Sequence, residues 1–318
     1  YTLFVPSYYG GYEVAGIGQS AFSGVINVDT IVIPATIKAF DWSSLTSGDI
    51  RSVYFMGDAP EFSGDIPATI TVYRLQDSGG WDDYDTEILL MNTYRFDNGS
   101  TLRYCLISNE VVICGYYGKS ELKIPSYISI NGTEYPVAVI GPDSFMGSEI
   151  NSVKIPETVR EIQSRAFQSS KITTVSWSNN SLLSYICDGA FRDCTLLRNF
   201  TAPDGTRYIG NDAFMNCRMV AGMDIPDSVK ILGSRAFYNC VKLSGISIGS
   251  GITEIKDYTF AYCVMLDNVY LPSQITVIGT EAFANCRMLS YIDTNKIQTI
   301  GDGAFMSCDK LKSMVLND

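Results

Sequence analysis

The sequence contains no histidine, and this absence excludes several kinds of functional site. A Ser-His or Cys-His nucleophile pair, a histidine general base and an imidazole metal site all require that side chain. Carboxylate or lysine chemistry is still open to the chain, so the absence argues strongly against an enzyme without excluding one. We expect no catalytic residue, no cofactor and no metal ion.

Positive charge is scarce, with 23 Lys and Arg against 34 Asp and Glu, a net charge of −11 and a pI near 4.5. Nucleic acid binding requires clustered Lys and Arg, so we expect no nucleic acid partner. No stretch approaches the roughly 18 consecutive apolar residues of a membrane span, and we expect no membrane insertion of this chain. A signal peptide is also missing, but Tyr1 is an implausible natural start, so we expect that the true N-terminus has been removed.

What the sequence does contain is a repeat marked by cysteine and phenylalanine. Six cysteines are separated by 23, 23, 23, 23 and 22 residues, and a phenylalanine stands three residues before each. They are Cys194, Cys217, Cys240, Cys263, Cys286 and Cys308, with Phe191, Phe214, Phe237, Phe260, Phe283 and Phe305. A fixed period of this length indicates a stack of near-identical units, each burying its apolar face against its neighbours.

One unit, written from Ile225, has the motif I-P-x-x-V-x-x-I-G-x-x-A-F-x-x-C-x-x-L-x-x-I-x. Alternation before the proline, as in Asn268–Leu271, predicts a short half-buried strand that proline ends. The V-x-x-I-G segment predicts a second extended side, and A-F-x-x-C predicts a single helical turn with Phe and Cys pointing inward. The motif therefore predicts a β-dominated α/β solenoid of short parallel strands, with about 23 residues per coil and coils about 4.8 Å apart.

The chain contains two starts of such an array. Residues 3–22 match residues 122–145 nearly position for position. We predict a first array over residues 1–91, clipped at its N-terminus and closed by a polar, aromatic C-terminal cap. A second array over residues 92–318 is predicted to begin with a capping β-hairpin around Ser108 and Asn109.

This motif resembles the repeat of BspA-like leucine-rich-repeat proteins, the Treponema pallidum class of that fold. The resemblance covers residues 122–318 and, more loosely, residues 1–91. It implies a right-handed leucine-rich-repeat coil in a secreted or surface-anchored protein of a host-associated bacterium. Adhesion to host matrix or to other microbes is the activity that the resemblance implies, with an extracellular or cell-surface location. It supplies no motif of binding residues.

The cysteines admit three interpretations. A zinc site needs four converging ligands, and parallel side chains one coil apart seldom reach the torsion of a disulfide. Small buried thiols that pack the turn therefore fit the six periodic cysteines best. Cys187 stands outside the period, where the motif has glycine. Cys105 and Cys114 lie diagonally across the proposed hairpin, where a bridge is possible but two free thiols are expected.

Two local patterns resemble ligand sites without completing them. Gly118-Lys119-Ser120 is similar to the end of a phosphate loop, but Ile113 occupies the position of its first glycine. An acidic run could chelate calcium, but it lacks EF-hand spacing, so we interpret it as a solvated cap face. The run comprises Asp77, Asp82, Asp83, Asp85 and Glu87.

A candidate binding face follows from the strand alternation of the second array. Its members are the solvent-facing residues between two buried strand positions, namely Lys154, Ser176, Thr201, Asp224, Ser247, Tyr270 and Asp293. Solenoids commonly bind partners on an exposed sheet of this kind. Our hypothesis is a non-enzymatic binding protein whose partner is an extracellular protein or a glycan. The alternative is a structural spacer or stalk that presents other domains of a larger surface protein.

Overall fold

A computed structural model describes residues 2–6, 8–9, 12–45, 49–75, 78–89, 91–118 and 121–312. All structural statements below refer to these residues. The segments 1–91 and 92–318 are called the first and the second array.

The first array consists of short strands and one turn of 3-10 helix, Trp42–Leu45. In chain order its strands are β1 (Thr2–Phe4), β2 (Tyr8–Tyr9), β3 (Tyr12–Glu13), β4 (Gly16–Ile17), β5 (Thr30–Ile33), β6 (Ala39–Asp41), β7 (Ser52–Phe55), β8 (Glu61–Ser63), β9 (Thr71–Leu75) and β10 (Glu87–Leu89).

The second array begins with longer strands and continues with strands of two to four residues. They are β11 (Asn92–Arg95), β12 (Thr101–Ile107), β13 (Glu110–Tyr117), β14 (Leu122–Lys123), β15 (Tyr127–Ile130), β16 (Thr133–Ile140), β17 (Ser152–Ile155), β18 (Glu161–Ile162), β19 (Thr174–Trp177), β20 (Tyr185–Ile186), β21 (Phe200–Thr201), β22 (Tyr208–Ile209), β23 (Gly222–Asp224), β24 (Ile231–Leu232), β25 (Gly245–Ser247), β26 (Glu254–Ile255), β27 (Asn268–Tyr270), β28 (Val277–Ile278), β29 (Tyr291–Ile292) and β30 (Thr299–Ile300).

Parallel pairing between successive coils confirms the solenoid predicted from the repeat. In the first array, sheets run in the orders β1-β5-β7-β9-β10 and β4-β6-β8. In the second, the strands before the proline position form β14-β17-β19 and β21-β23-β25-β27-β29, which we call the binding-face sheets. The V-x-x-I strands pair in the orders β16-β18-β20-β22-β24 and β26-β28-β30. An antiparallel unit, β11-β12-β13, covers the start of the second array and pairs with β16 through β13.

The corner made by A-F-x-x-C differs from the expected helical turn, because its amides alternate between two kinds of partner. The amides of Ala236 and Tyr238 donate to carbonyls three residues back, at 3.3 and 3.0 Å. Those of Phe237 and Asn239 donate instead to carbonyls of the next coil, at 2.9 and 2.8 Å. An α-helix requires every amide to bond four residues back, so the corner is a run of hydrogen-bonded turns. Within the described residues, Trp42–Leu45 is the only helical element.

Each corner also contains backbone in the left-handed region. The positions are the residue before Ala-Phe and the residue before the cysteine, such as Arg235 (φ 56°) and Asn239 (φ 59°). This conformation costs a side chain other than glycine about 1–2 kcal/mol. Asn tolerates it better than most residues, and Gly189 and Gly303 occupy the first position in their own coils with φ of 64° and 63°.

The glycine of the I-G pair answers a different need, which is close approach between coils. A Cβ placed on Gly233 would overlap the backbone of Gly210 and Asn211 in the preceding coil. Glycine at this position therefore lets the coils stack without a gap.

The core of the second array is one continuous cluster that runs from Leu102 to Ala304. Phenylalanine rings form a column along it, with neighbouring centroids 4.7–5.6 Å apart and planes within 21° of parallel. Two rings, Phe145 and Phe167, extend the column beyond the six predicted from the cysteine period.

The first array has its own core, from Val5 to Trp81. A third cluster lies between the arrays, where Val32 and Phe4 of the first pack with Cys105, Val112 and Val139 of the second. The first array therefore rests against the hairpin that opens the second.

Candidate functional site

The seven residues predicted to form a binding face lie on the outer side of the binding-face sheets. All are exposed except Asp293, which is half-buried just after β29. The pairing register places Lys154 beside Ser176 on neighbouring strands. A second run of neighbours on successive strands consists of Thr201, Asp224, Ser247 and Tyr270. The alternate residues of the same strands point inward, and Val153, Met223 and Val269 are buried in the core. Two runs of polar side chains, most of them small, therefore cross the coils on this face.

A second outward row, which the sequence interpretation did not single out, creates a depression in this face. Gly222 and Gly245 pair directly on β23 and β25, and neither offers a side chain. The depression has a volume of about 470 Å³. Its rim carries amide, hydroxyl and carboxylate groups, from Asn199, Thr201, Asp224 and Ser247. These groups can both donate and accept hydrogen bonds.

Two tyrosines lie on the two strands that follow the depression in the same sheet. Tyr270 is paired with Ser247, and Tyr291 is paired with Asn268 on the adjoining strand. The two residues are 68% and 44% exposed, and their rings have centroids 5.5 Å apart and planes tilted by 45°. Tyrosine combines a rigid apolar ring with a hydrogen-bonding hydroxyl, which suits it to interfaces.

The periodic cysteines lie at the corner, away from this face. Each Sγ donates to the carbonyl of a phenylalanine one coil earlier, at 3.0–3.2 Å. Five of the thiols are fully buried and Cys308 is half-buried. Burial raises the pKa of Cys194 and Cys240 to about 12, which keeps these thiols protonated and poor as nucleophiles. Their geometry is that of packing groups.

A second concave region lies where the two arrays meet. A cavity of about 220 Å³ is lined by Phe4 and Val5 from the first array and by Glu161 and Cys187 from the second. The Cys187 thiol donates to Glu161 Oε1 at 3.6 Å. Burial raises the pKa of the Glu161 carboxyl. Burial and the neighbouring Glu161 charge raise the pKa of the Cys187 thiol. A thiol held protonated in this way is not activated for nucleophilic attack.

Sequence reasoning found half of this pair. Cys187 was visible because it replaces the motif glycine, whereas Glu161 occupies a position that varies from coil to coil. Glu161 becomes distinctive because Phe4 and Val5 of the first array line the same cavity, and no local sequence pattern indicates that arrangement.

The weaker sequence candidates are placed as follows. Asp82, Asp83 and Asp85 are exposed, while Asp77, Lys119 and Ser120 lie outside the described residues. Within the part of the chain that the structure describes, no three His, Cys, Asp or Glu residues are grouped so as to hold a metal ion. None of its helices is long and apolar enough to cross a bilayer.

Two parallel strands per coil, a buried phenylalanine column and a glycine at the coil contact define a solenoid of the leucine-rich-repeat class. A family model described as "BspA type Leucine rich repeat region" matches residues 11–64, 123–221 and 208–318 in six copies. The chain therefore belongs to the BspA-type leucine-rich-repeat family, which confirms the family predicted from the motif. Leucine-rich repeats of this type are protein-interaction modules rather than a catalytic family.

Solved structures resemble the chain in fold. A leucine-rich-repeat protein from T. pallidum is 23% identical with a TM-score of 0.50, over 70% of this chain and 88% of that one. One from Bacteroides ovatus is 23% identical with a TM-score of 0.47, over 73% and 70%. A leucine-rich cell surface protein from Faecalibacterium prausnitzii is 22% identical with a TM-score of 0.35, over 70% and 88%. Comparison with curated proteins gave no match.

Proposed function

We propose that this chain is a non-enzymatic binding module of a secreted or surface-exposed bacterial protein, and that it mediates adhesion through an extracellular protein or glycan. The observation that carries the proposal is the depression around Gly222 and Gly245, together with the exposed Tyr270 and Tyr291 on the next two strands of the same sheet. It lies on the face that the coils repeat along the array.

The composition of this surface supports recognition of a partner. Tyrosine, serine, asparagine and glycine are the residues that antibody loops use most, because they combine rigid aromatic contact with adaptable hydrogen bonding. Ser247, Asn268, Gly245 and the two tyrosines bring these residue types together on three adjacent strands. The parallel ladder fixes their spacing, so little conformational entropy is lost when a partner binds.

An extracellular or cell-surface location is part of the same proposal. It is supported by the resemblance of the repeat to secreted and anchored proteins of host-associated bacteria. A partner in that setting would be a matrix protein, a mucin or a surface glycan.

Binding of the purified chain to an array of host matrix proteins, mucins and glycans tests the proposal. We expect a saturable signal that the double substitution Tyr270→Ala with Asp224→Ala weakens by at least about tenfold, since exposed aromatic anchors dominate interface energies. A matched control replaces Tyr127, which is 50% exposed on β15, together with the exposed Asp204. The control should bind as the wild type does.

The alternative function, a spacer or stalk, is favoured by a different observation. The second array has one unbroken core over its coils, as expected of a stiff rod. A spacer predicts no signal with any member of the array, or a signal that both double variants reduce equally. Either result would contradict the binding proposal.

A further inference from the structure

The hairpin that opens the second array brings two thiols together. Cys105 lies on β12 and Cys114 on β13, and the Cys114 thiol donates to Cys105 Sγ at 3.3 Å. The cause is a bulge, because Arg103 pairs with Gly115 while Tyr104 pairs with Ile113. Cys114 is therefore the extra residue of the bulge, which places its thiol against that of Cys105.

This pair differs from every other cysteine of the chain. The six periodic thiols each donate to a backbone carbonyl, and Cys187 donates to Glu161. The Cys114 thiol lies within hydrogen-bond reach of both Cys105 Sγ, at 3.3 Å, and the Val112 carbonyl, at 3.4 Å. Among the described thiols, only Cys105 and Cys114 form a hydrogen bond from sulfur to sulfur, at 3.3 Å. Cys105 is fully buried and Cys114 is half-buried, so a reagent reaches the pair through Cys114.

We propose that Cys105 and Cys114 form an oxidation site that closes to an intrachain disulfide by exchange with a disulfide-bearing oxidant. The Cys114 thiolate attacks one sulfur of the oxidant, forms a mixed disulfide and expels a first thiolate. The Cys105 thiolate then attacks the Cys114 sulfur and expels the second. Two electrons pass from the protein sulfurs to the oxidant, and the two thiol protons end on the two thiols that leave.

The hairpin geometry needs a modest change to reach the bonded state. The two sulfurs must approach from 3.3 Å to about 2.05 Å, which side-chain torsions can supply across neighbouring strands. The bond would fix the bulge and with it the surface on which the first array rests, since Cys105 and Cys114 both belong to the cluster between the arrays.

The local environment also predicts how the reaction depends on pH. The hydrogen bond to Cys105, followed by burial, raises the pKa of the Cys114 thiol above its usual value. Exchange requires the thiolate, so the rate of closure should rise about tenfold per pH unit below that pKa.

Oxidised glutathione and peptide mapping provide the test. Trypsin cleaves after Arg103 and Lys119, so a single peptide, residues 104–119, carries both cysteines and no other. After oxidation and alkylation of the unfolded chain, we expect this peptide two hydrogens lighter with neither cysteine alkylated. The other seven of the nine cysteines should be alkylated.

Three variants complete the experiment, each checked for folding by circular dichroism. Cys105→Ser should retain glutathione on Cys114, because the second thiol is missing, and Cys114→Ser should take up none in this peptide. Cys187→Ser is the matched control and should close as the wild type does. Recovery of the wild-type peptide with both cysteines alkylated, with glutathione still attached, or linked to a second chain would each overturn the proposal.

Discussion

The two arrays pack their buried aromatic residues differently. In the second array, rings from successive coils form a column in which neighbours are nearly parallel, as Phe214 and Phe237 are, with planes 3° apart. In the first array, Phe40, Trp42 and Phe55 meet edge to face, with interplanar angles of 67–76°, while Trp42 also stacks on Phe62 with planes 20° apart. Burial is nearly complete for Phe214 and Phe237 in the second array and for Phe40, Trp42 and Phe55 in the first.

The difference shows what a strict period adds to a fold. When each coil presents the same side chain at the same place, the coil spacing alone sets the ring separation, and parallel stacking follows. In the first array, where no single ring position repeats in every coil, edge-to-face and stacked contacts occur together, and aromatic quadrupoles favour both the edge-to-face and the offset-stacked geometry. The rings of the second array therefore form a linear stack, while those of the first array form a mixed cluster inside its coils. The division near residue 91 stays a prediction, and the substitutions below address it.

The largest expected effect comes from removing one ring of the column. Phe237→Ala leaves a cavity between two rings whose centroids lie 5.4 and 5.5 Å away, and should lower the free energy of unfolding by about 3–5 kcal/mol. Urea unfolding followed by circular dichroism measures the loss. Phe40→Ala is the matched change in the first array and should cost a similar amount in a separate transition. A loss below about 1 kcal/mol for Phe237→Ala would contradict the packing of the column.

A smaller effect should come from the contact between the arrays. Val32 is 3% exposed and packs against the opening hairpin of the second array. Val32→Ala removes two buried carbon groups at about 0.8 kcal/mol each and should lower the stability of both arrays. Val53→Ala, inside the core of the first array, is its control and should affect that array alone. Equal effects of both changes on the second array would show that the arrays unfold as one.

The left-handed corner positions give a third comparison. Gly189→Ala forces a Cβ into backbone with φ of 64° and should destabilise the second array by about 1 kcal/mol. Gly245→Ala is the control, since a Cβ there meets nothing within 4 Å and the backbone is an ordinary strand. It should leave the melting temperature unchanged or slightly higher. If neither change alters the stability of the first array, the result would show that the two arrays unfold separately.

The smallest effect should be a pH dependence that arises where the arrays meet. Burial raises the pKa of Glu161 above the ordinary value of 4.5, so the folded chain holds this proton more tightly than the unfolded chain does. The stability that this provides is complete below pH 4.5 and is lost as pH rises through the raised pKa. Glu161→Gln should flatten this part of the melting profile. Glu254 occupies the same motif position in a later coil, where its side chain is exposed. Glu254→Gln is therefore the control and should not flatten the melting profile.

Much of the second array could be predicted from its sequence because its determinants are local and repeated. The spacing of Phe237 and Cys240 defined the coil, and strand alternation placed Tyr270 and Asp224 on the outer face. The corner at Ala236–Cys240 was expected to be helical, because a sequence pattern does not show that half of its amides bond to the next coil. The depression could not be predicted in this way, because it depends on the pairing of Gly222 with Gly245 on two neighbouring strands. The environment of Glu161 depends on how two distant segments pack, which no periodic signal encodes.

The shared amides of the corner have a consequence for how such a gene can vary. In each coil the same corner amides donate to carbonyls of the next coil. The amide of Phe237 donates to the Thr259 carbonyl, and the amide of Phe260 donates in the same way to the Ala282 carbonyl. A block of 23 residues can therefore be duplicated or deleted in frame while the flanking coils rejoin through equivalent partners. Each such event changes the length of the outer surface by about 4.8 Å and leaves its architecture intact. The length of the array is therefore set by the number of coils.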